Sequence, residues 1–221
     1  MMLERLRYKI YDLRGKAAYL ILTNLRSIFI WEHVLLFDLS LPARLERRTH
    51  PVAYAKLADN EDILRLAKQF EKFRRGLAEK RVKQGNLCFL AYVDEKIAHY
   101  RWVAFGETEM PAQARAAHIW KVRIDSNCAY SFDAYTSPEY RGLGLDPFIF
   151  KYVLDYLSKK PVSKLYAVVD KNNWPNIRAA KKKGYRLVGE IIFKRILKYR
   201  TLRYKAQTVE DQRTLKRVVF L

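Results

Sequence analysis

The chain has 221 residues, half of them hydrophobic and 14% aromatic, with 43 Lys and Arg against 23 Asp and Glu for a formal charge of +20. This excludes a largely disordered chain and points to one well-filled domain with room for a terminal addition. A field of one sign concentrates polyanions, so nucleic acid, an anionic membrane surface, a phosphorylated cofactor or an acidic protein all suit the charge, as does plain solubility.

Residues 1–40 interleave Arg5, Arg7, Lys9, Arg14, Lys16 and Arg26 with Tyr8, Tyr11, Leu20, Ile28 and Trp31. That pattern fits a surface-seeking helix, which would hold the chain peripherally at a membrane, or an element packed on the domain. The apolar run 17–31 is interrupted by Asn24, Arg26 and Ser27 and falls short of the roughly 20 residues of a span. No small-residue cleavage site follows it, so neither a membrane span nor a signal peptide is expected. Cys88 and Cys128 form no CxxC pair and have no histidine at ligand spacing, which predicts a reducing, cytoplasmic setting and no metal site.

Residues 33–39 read as a first strand closed by Pro42. Residues 60–85 read as one helix, with Ile63, Leu64, Leu66, Ala67, Phe70 and Phe73 at helical spacing, Asn60 as its N-cap and Gly85 as its stop. Residues 86–93 and 97–105 suit an antiparallel hairpin, 106–117 a loop, and 129–136 a further strand. An apolar helix over 147–157, a strand over 164–169, a short basic helix over 174–183 and a strand over 185–193 follow. The tail is expected to add a strand and then a helix. This order predicts an α/β or α+β fold with a mixed sheet. It divides the chain into a basic, apolar N-terminal extension (1–59) that includes the first strand, a core (60–193) and a basic tail (194–221).

Residues 130–144, YSFDAYTSPEYRGLG, run a strand into a glycine turn ahead of the apolar helix. Gly142 and Gly144 let backbone approach a ligand, and the N–H groups at a helix start suit a phosphate. A tight turn alone would use the same residues. Asp133 alternates with Ser131 and Tyr135, which predicts that the three share a face. Asp133 is open to two readings, a base or anchor for an ammonium substrate, or a structural carboxylate paired with backbone or an arginine. His33, His50, His99 and His118 have no pattern that singles them out.

Pro138, Glu139, Tyr140, Arg141, Gly142, Leu143, Gly144 and Leu145 resemble the Arg-Gly-x-Gly-x-(Gly/Ala) signature of the GNAT acyltransferase superfamily. A second feature of that superfamily, an Asn after the next strand and then a short helix and Gly-aromatic, is matched by Asn173, Ile177, Arg178, Gly184 and Tyr185. The resemblance covers roughly residues 60–193. It implies a mostly antiparallel mixed sheet, flanked by helices and splayed between strands 129–136 and 164–169 around a pantetheine arm. The donor would be acetyl-CoA or another acyl-CoA, and the group moved would not be an amino-acyl group. Backbone of Tyr135 and Thr136 would pair with the arm, Arg141, Gly142, Leu143, Gly144 and Leu145 would cradle the phosphates, and Asn173 would touch the arm near its amides. The amine, on a small molecule or a protein, would attack the thioester directly.

Two positions depart from that pattern. Asp146 stands where Gly or Ala is usual and Pro147 follows, so Asp146 is expected to cap the helix while its charge weakens diphosphate binding. Ala180 stands where many members carry a tyrosine that protonates the departing thiolate. Arg178, Lys181, Lys182 and Lys183 would meet the outer phosphate of coenzyme A, dock an acidic acyl carrier protein, or simply face solvent. A third reading is an impaired member of the fold that binds nucleic acid or an anionic membrane, although no RNA-module motif is present.

Overall fold

The structure, a computed structural model, describes residues 29–43, 50–73, 76–105, 107–109, 121–123, 125–196, 199–212 and 219–220. Of the basic, apolar pattern read over residues 1–40, residues 1–28 lie outside the described residues and 29–40 form a strand. Most of the loop expected over 106–117 also lies outside them, and its residues 107–109 form a short strand.

Apolar side chains alternate between two cores. Cys88, Leu90 and Tyr92 enter one and Phe89 and Ala91 the other, and in the partner strand Trp102 and Ala104 lie opposite in sense to Val103. A strand buried on both faces in this way lies inside a three-layer arrangement. β1 (Phe29–Ser40), β2 (Ala53–Leu57), β3 (Leu87–Val93), β4 (Lys96–Phe105), β7 (Cys128–Thr136), β8 (Lys164–Asp170), β9 (Arg186–Ile196) and β10 (Tyr199–Ala206) form one sheet in the order β10-β9-β1-β8-β7-β4-β3-β2. Its pairings are antiparallel except β7 with β8. β5 (Glu107–Glu109), β6 (Lys121–Arg123) and β11 (Val219–Phe220) make a small second sheet.

α1 (Asn60–Gln69) and α2 (Leu77–Lys83) cover one face, contributing Ile63, Leu66 and Ala78 to its core. α3 (Leu145–Leu157) and α4 (Trp174–Lys182) cover the other with Ile149, Phe150, Val153, Leu154, Leu157, Ile177 and Ala180. The expected strand 33–39 lies within β1, which sits between β8 and β9. That slot exists because β8 and β9 are parallel and joined through α4, a crossover that leaves room for an antiparallel strand between them. β1 therefore belongs to the sheet that carries the site.

The single helix expected over 60–85 is two helices. Phe70 leaves the helical region at φ −116°, ψ 116°, and a 3₁₀ turn follows at Glu71–Phe73. Across the break Phe70 and Phe73 both pack edge-on against Tyr100, at 5.2 Å each. The N-cap is Asp59 rather than Asn60. Its carboxylate accepts from Asp62 N while Asp62 accepts from Asp59 N, a reciprocal capping box. The β3–β4 hairpin turns on Asp94 and Glu95, both at positive φ, as a two-residue loop between right-twisted strands requires.

Candidate functional site

β7 and β8 pair from Cys128–Lys164 to Ser131–Ala167 and no further. Beyond that point Phe132–Thr136 and Val168–Asp170 diverge, opening a cleft of about 590 Å³ between them, with α4 along one side. The splay expected between these strands is present at the expected place.

A bulge in β7 shapes the cleft wall. Tyr135 opposes Tyr100 and Phe132 opposes Trp102, so three steps on β7 match two on β4, and Asp133 sits at φ 46°. An extra residue reverses the alternation beyond it. Ser131, Asp133 and Tyr135 therefore do not share a face as expected. Ser131 accepts from Arg101 Nη1 at 2.8 Å on the α3 side, whereas Asp133 pairs with Arg81 on the α1–α2 side. The Asp133 carboxylate is 6% exposed, and the Arg81 guanidinium that holds it lies over Phe73, Trp102 and Phe132 at 5.1 to 5.6 Å. Of the two readings, this pairing matches the carboxylate bonded to an arginine.

At the mouth of the cleft, β7 ends at Thr136, a 3₁₀ turn spans Pro138–Tyr140, and the glycine loop leads into α3. Gly142 and Gly144 stand at φ 83° and 78°, the left-handed region in which a side chain is strained, and among the described residues no atom outside the adjoining residues lies within 4 Å of the place a Cβ would take. Both hydrogens thus face open space, as a loop that receives a ligand should. Arg141 is exposed, donates Nε to Thr136 O at 3.3 Å and lies 5.9 Å from the Tyr135 ring. His50, unmarked by any motif, holds the loop through Nε2 to Leu143 O at 2.7 Å. Tyr135, Thr136, Arg141 and Asn173 line the cleft together, whereas Gly142, Leu143, Gly144 and Leu145 are not among its lining residues, Leu145 being buried with Val93 and Ala98. Asn173 caps α4 by accepting from Asn176 N.

Asp146 is not the cap expected of it. Gly144 occupies the N-cap position, α3 begins at Leu145, and the Asp146 carboxylate turns inward to ion pairs with Arg101 and Lys183. Burial alone would raise its pKa, but the two cations outweigh burial and hold it below the usual carboxylate range. The expected repulsion of a diphosphate is therefore removed: two cations face one carboxylate, an excess of one positive charge. Lys183 Nζ also lies 5.0 Å over Phe150. Burial first, then Arg101, lowers its pKa to about 8. His99, 1% exposed, bonds Thr136 Oγ1 through Nδ1 at 2.8 Å, and burial followed by Arg101 lowers its pKa to about 3, so it is neutral. His99 Nε2 and Arg101 Nε have no hydrogen-bond partner among the described residues.

Arg101, His99 and the inward Asp146 are what motif reading missed. One signal was available: Arg101 is a lone cation inside the apolar run Ile97–Ala104, and a buried cation needs a buried anion. On the other side of β7 a second cavity of about 430 Å³ is lined by Gln69, Phe70, Glu71, Tyr100, Asp133, Ala134 and Tyr135, so the bulge forms a wall of both cavities.

A family model described as Acetyltransferase (GNAT) family matches residues 57–185. Among solved structures, a tandem GNAT protein from the clavulanic acid biosynthesis pathway superposes with a TM-score of 0.54 at 13% identity, over 80% of this chain and 55% of that one. A GCN5-related N-acetyltransferase from Sphaerobacter thermophilus gives 0.52 at 11% identity, over 87% and 58%. A GNAT-family protein from Novosphingobium aromaticivorans gives 0.50 at 15%, over 80% and 66%. The chain thus spans between about half and two thirds of these larger proteins, and at such identities the likeness is one of fold. The comparison with curated proteins gives no match.

Proposed function

The chain belongs to the GNAT acetyltransferase family, and from that premise we propose that it transfers an acyl group from acyl-CoA, in the first instance acetyl-CoA, to the nitrogen of an amine by direct attack on the thioester. The observation that carries this reading is the conjunction of the splayed β7–β8 cleft with an open-faced glycine loop at its mouth. In it the free backbone edge of β7 beyond Ser131 would pair with the amides of the pantetheine arm, as an added strand does. The loop from Arg141 to Leu145 would meet the diphosphate with backbone N–H groups at the start of α3, and Asn173 would reach the arm from α4.

The amine would enter from the cavity on the α1 side, where Phe70, Tyr100 and Tyr135 offer ring faces and Glu71 a carboxylate, a setting suited to an ammonium. Attack across the bulge would then bring nitrogen and thioester together by orientation, which can supply a large part of such a rate gain. Asp133 has no part in this scheme as a base.

A second reading keeps the chemistry and changes the carrier. Arg178, Lys181 and Lys182 are exposed on α4 beside the cleft, and an acidic acyl carrier protein would find complementary charge there, as would the outer phosphate of coenzyme A. Melting the full chain with acetyl-CoA, longer acyl-CoAs and a loaded acyl carrier protein, each at low and moderate salt, separates the readings. Ligand at 100 times its Kd adds about 2.7 kcal/mol of stability. A stabilisation by acetyl-CoA that persists in moderate salt supports the first reading, and one by the carrier protein alone supports the second. Stabilisation by neither refutes both and returns attention to nucleic acid or an anionic surface as the partner of the +20 charge.

A further inference from the structure

Loss of acyl from a thioester leaves a thiolate, and the cleft is unevenly equipped to meet one. Asn176, Ala179 and Ala180 line it from α4 and bring no acid, and Lys183, the C-cap residue of α4, lines it beside them. From β4 come Arg101 and His99, from α3 Asp146, from just before β9 Tyr185, and from β7 Tyr130, whose hydroxyl is pushed up by burial, and Tyr135, whose ring packs against Phe70 and Tyr100 on the α1 side. Arg101 does not give up its proton in a protein. His99 is neutral, and a neutral imidazole N–H is a poor acid. The Tyr185 hydroxyl is pushed up by burial, away from the range in which it would protonate a thiolate.

We propose that the Lys183 ammonium, held by Asp146 at the C-cap of α4 three residues beyond Ala180, is the group that takes the charge of the departing thiolate and protonates it. The inference rests on the donor reading above. In the step, the amine nitrogen bonds the thioester carbonyl carbon, the C–S bond breaks and its electron pair goes to sulfur. Sulfur takes a proton from Lys183 Nζ, the new amide nitrogen loses one to solvent, and neutral Lys183 regains one from solvent.

Two physical features support the assignment. Arg101 and Lys183 outnumber Asp146 by one charge in a buried setting, so an added anion is favoured there as it would not be beside a balanced pair. The acidity of Lys183, about 8, also lies close to the ~8.5 of an ordinary thiol, so the proton crosses with little free-energy change. Asp146 and Arg101 are positioning residues in this account. The first aims the ammonium and the second keeps it acidic.

Because the acceptor is unidentified, the test uses free coenzyme A, the product side of the reaction. Coenzyme A carrying ¹³C beside its sulfur is bound to the full chain, binding is verified by calorimetry, and the thiol is titrated by its ¹³C shift. A cation close by lowers an acidic group by about 1–3 units, so the bound thiol is expected to titrate at least about one unit below free coenzyme A. In Lys183→Met, which keeps the chain length and removes the charge, the thiol returns to the free value while binding persists. A bound thiol in the unaltered protein that titrates at or above the free value overturns the proposal, even if the variant fails to fold. A depression that survives in Lys183→Met overturns it as well, by assigning the field to Arg101. Calorimetry that detects no coenzyme A binding at all overturns the donor reading, and this inference falls with it.

Discussion

Acidification isolates one buried group. His99 is enclosed on β4 with Arg101, Lys183 and Asp146 about it and Thr136 on its Nδ1, and its pKa falls from 6.5 to about 3. Between those values the unfolded chain takes up a proton that the folded chain refuses. Stability from this residue is therefore full above 6.5 and declines as pH falls, at about 1.4 kcal/mol per unit, until the folded imidazole itself titrates. At about pH 4.5, two units below the unfolded value, the loss attributable to His99 is roughly 2 to 3 kcal/mol. His99→Gln cannot titrate and can still bond Thr136. Urea unfolding of both proteins at neutral pH and at about pH 4.5 gives two differences, and the carboxylates common to both cancel between them. The unaltered protein should lose roughly 2 to 3 kcal/mol more than the variant. Equal losses, or a His99 imidazole resonance that titrates near 6.5, would refute the reasoning.

Lys183 predicts the opposite limb. Its folded pKa, about 8, lies below the unfolded 10.5, so stability should rise as pH climbs from the first value to the second, and Lys183→Met should flatten that rise in urea unfolding. Asp133→Ala leaves the Arg81 cation buried without its carboxylate and should cost roughly 3 to 5 kcal/mol in the same assay, whereas a catalytic base would show a large loss of turnover with stability kept. Gly144→Val forces a β-branched residue to φ 78°, at a strain of about 1–3 kcal/mol, and should weaken acetyl-CoA at least tenfold by calorimetry while circular dichroism stays unchanged.

The glycine turn into α3 was legible because its requirements are local: two glycines at fixed spacing and an apolar helix after them. The place of Asn173 at the head of α4, between a strand and a short helix, was legible for the same reason. The position of β1 was not. Apolar alternation over 33–39 identifies a strand, but its seat between β8 and β9 depends on partners more than 120 residues away, such as Val34 opposite Asp170 and Ile191. The Asp133 face was misassigned because period-two reasoning assumes an unbroken strand, and one bulged residue inverts every side chain beyond it. Asp146 was misassigned because Asp-Pro before an apolar helix is a sound cap locally. Its actual partners, Arg101 and Lys183, are supplied by β4 and the end of α4, and only the fold brings them together.

Calorimetric titration of the full chain with acetyl-CoA tests the central assignment most directly. A donor cleft predicts saturable binding to one site per chain that moderate salt weakens only slightly, because the arm is enclosed between β7, β8 and α4. No heat of binding, or a heat lost steeply with salt as polyanion contacts with exposed lysines are, would contradict it.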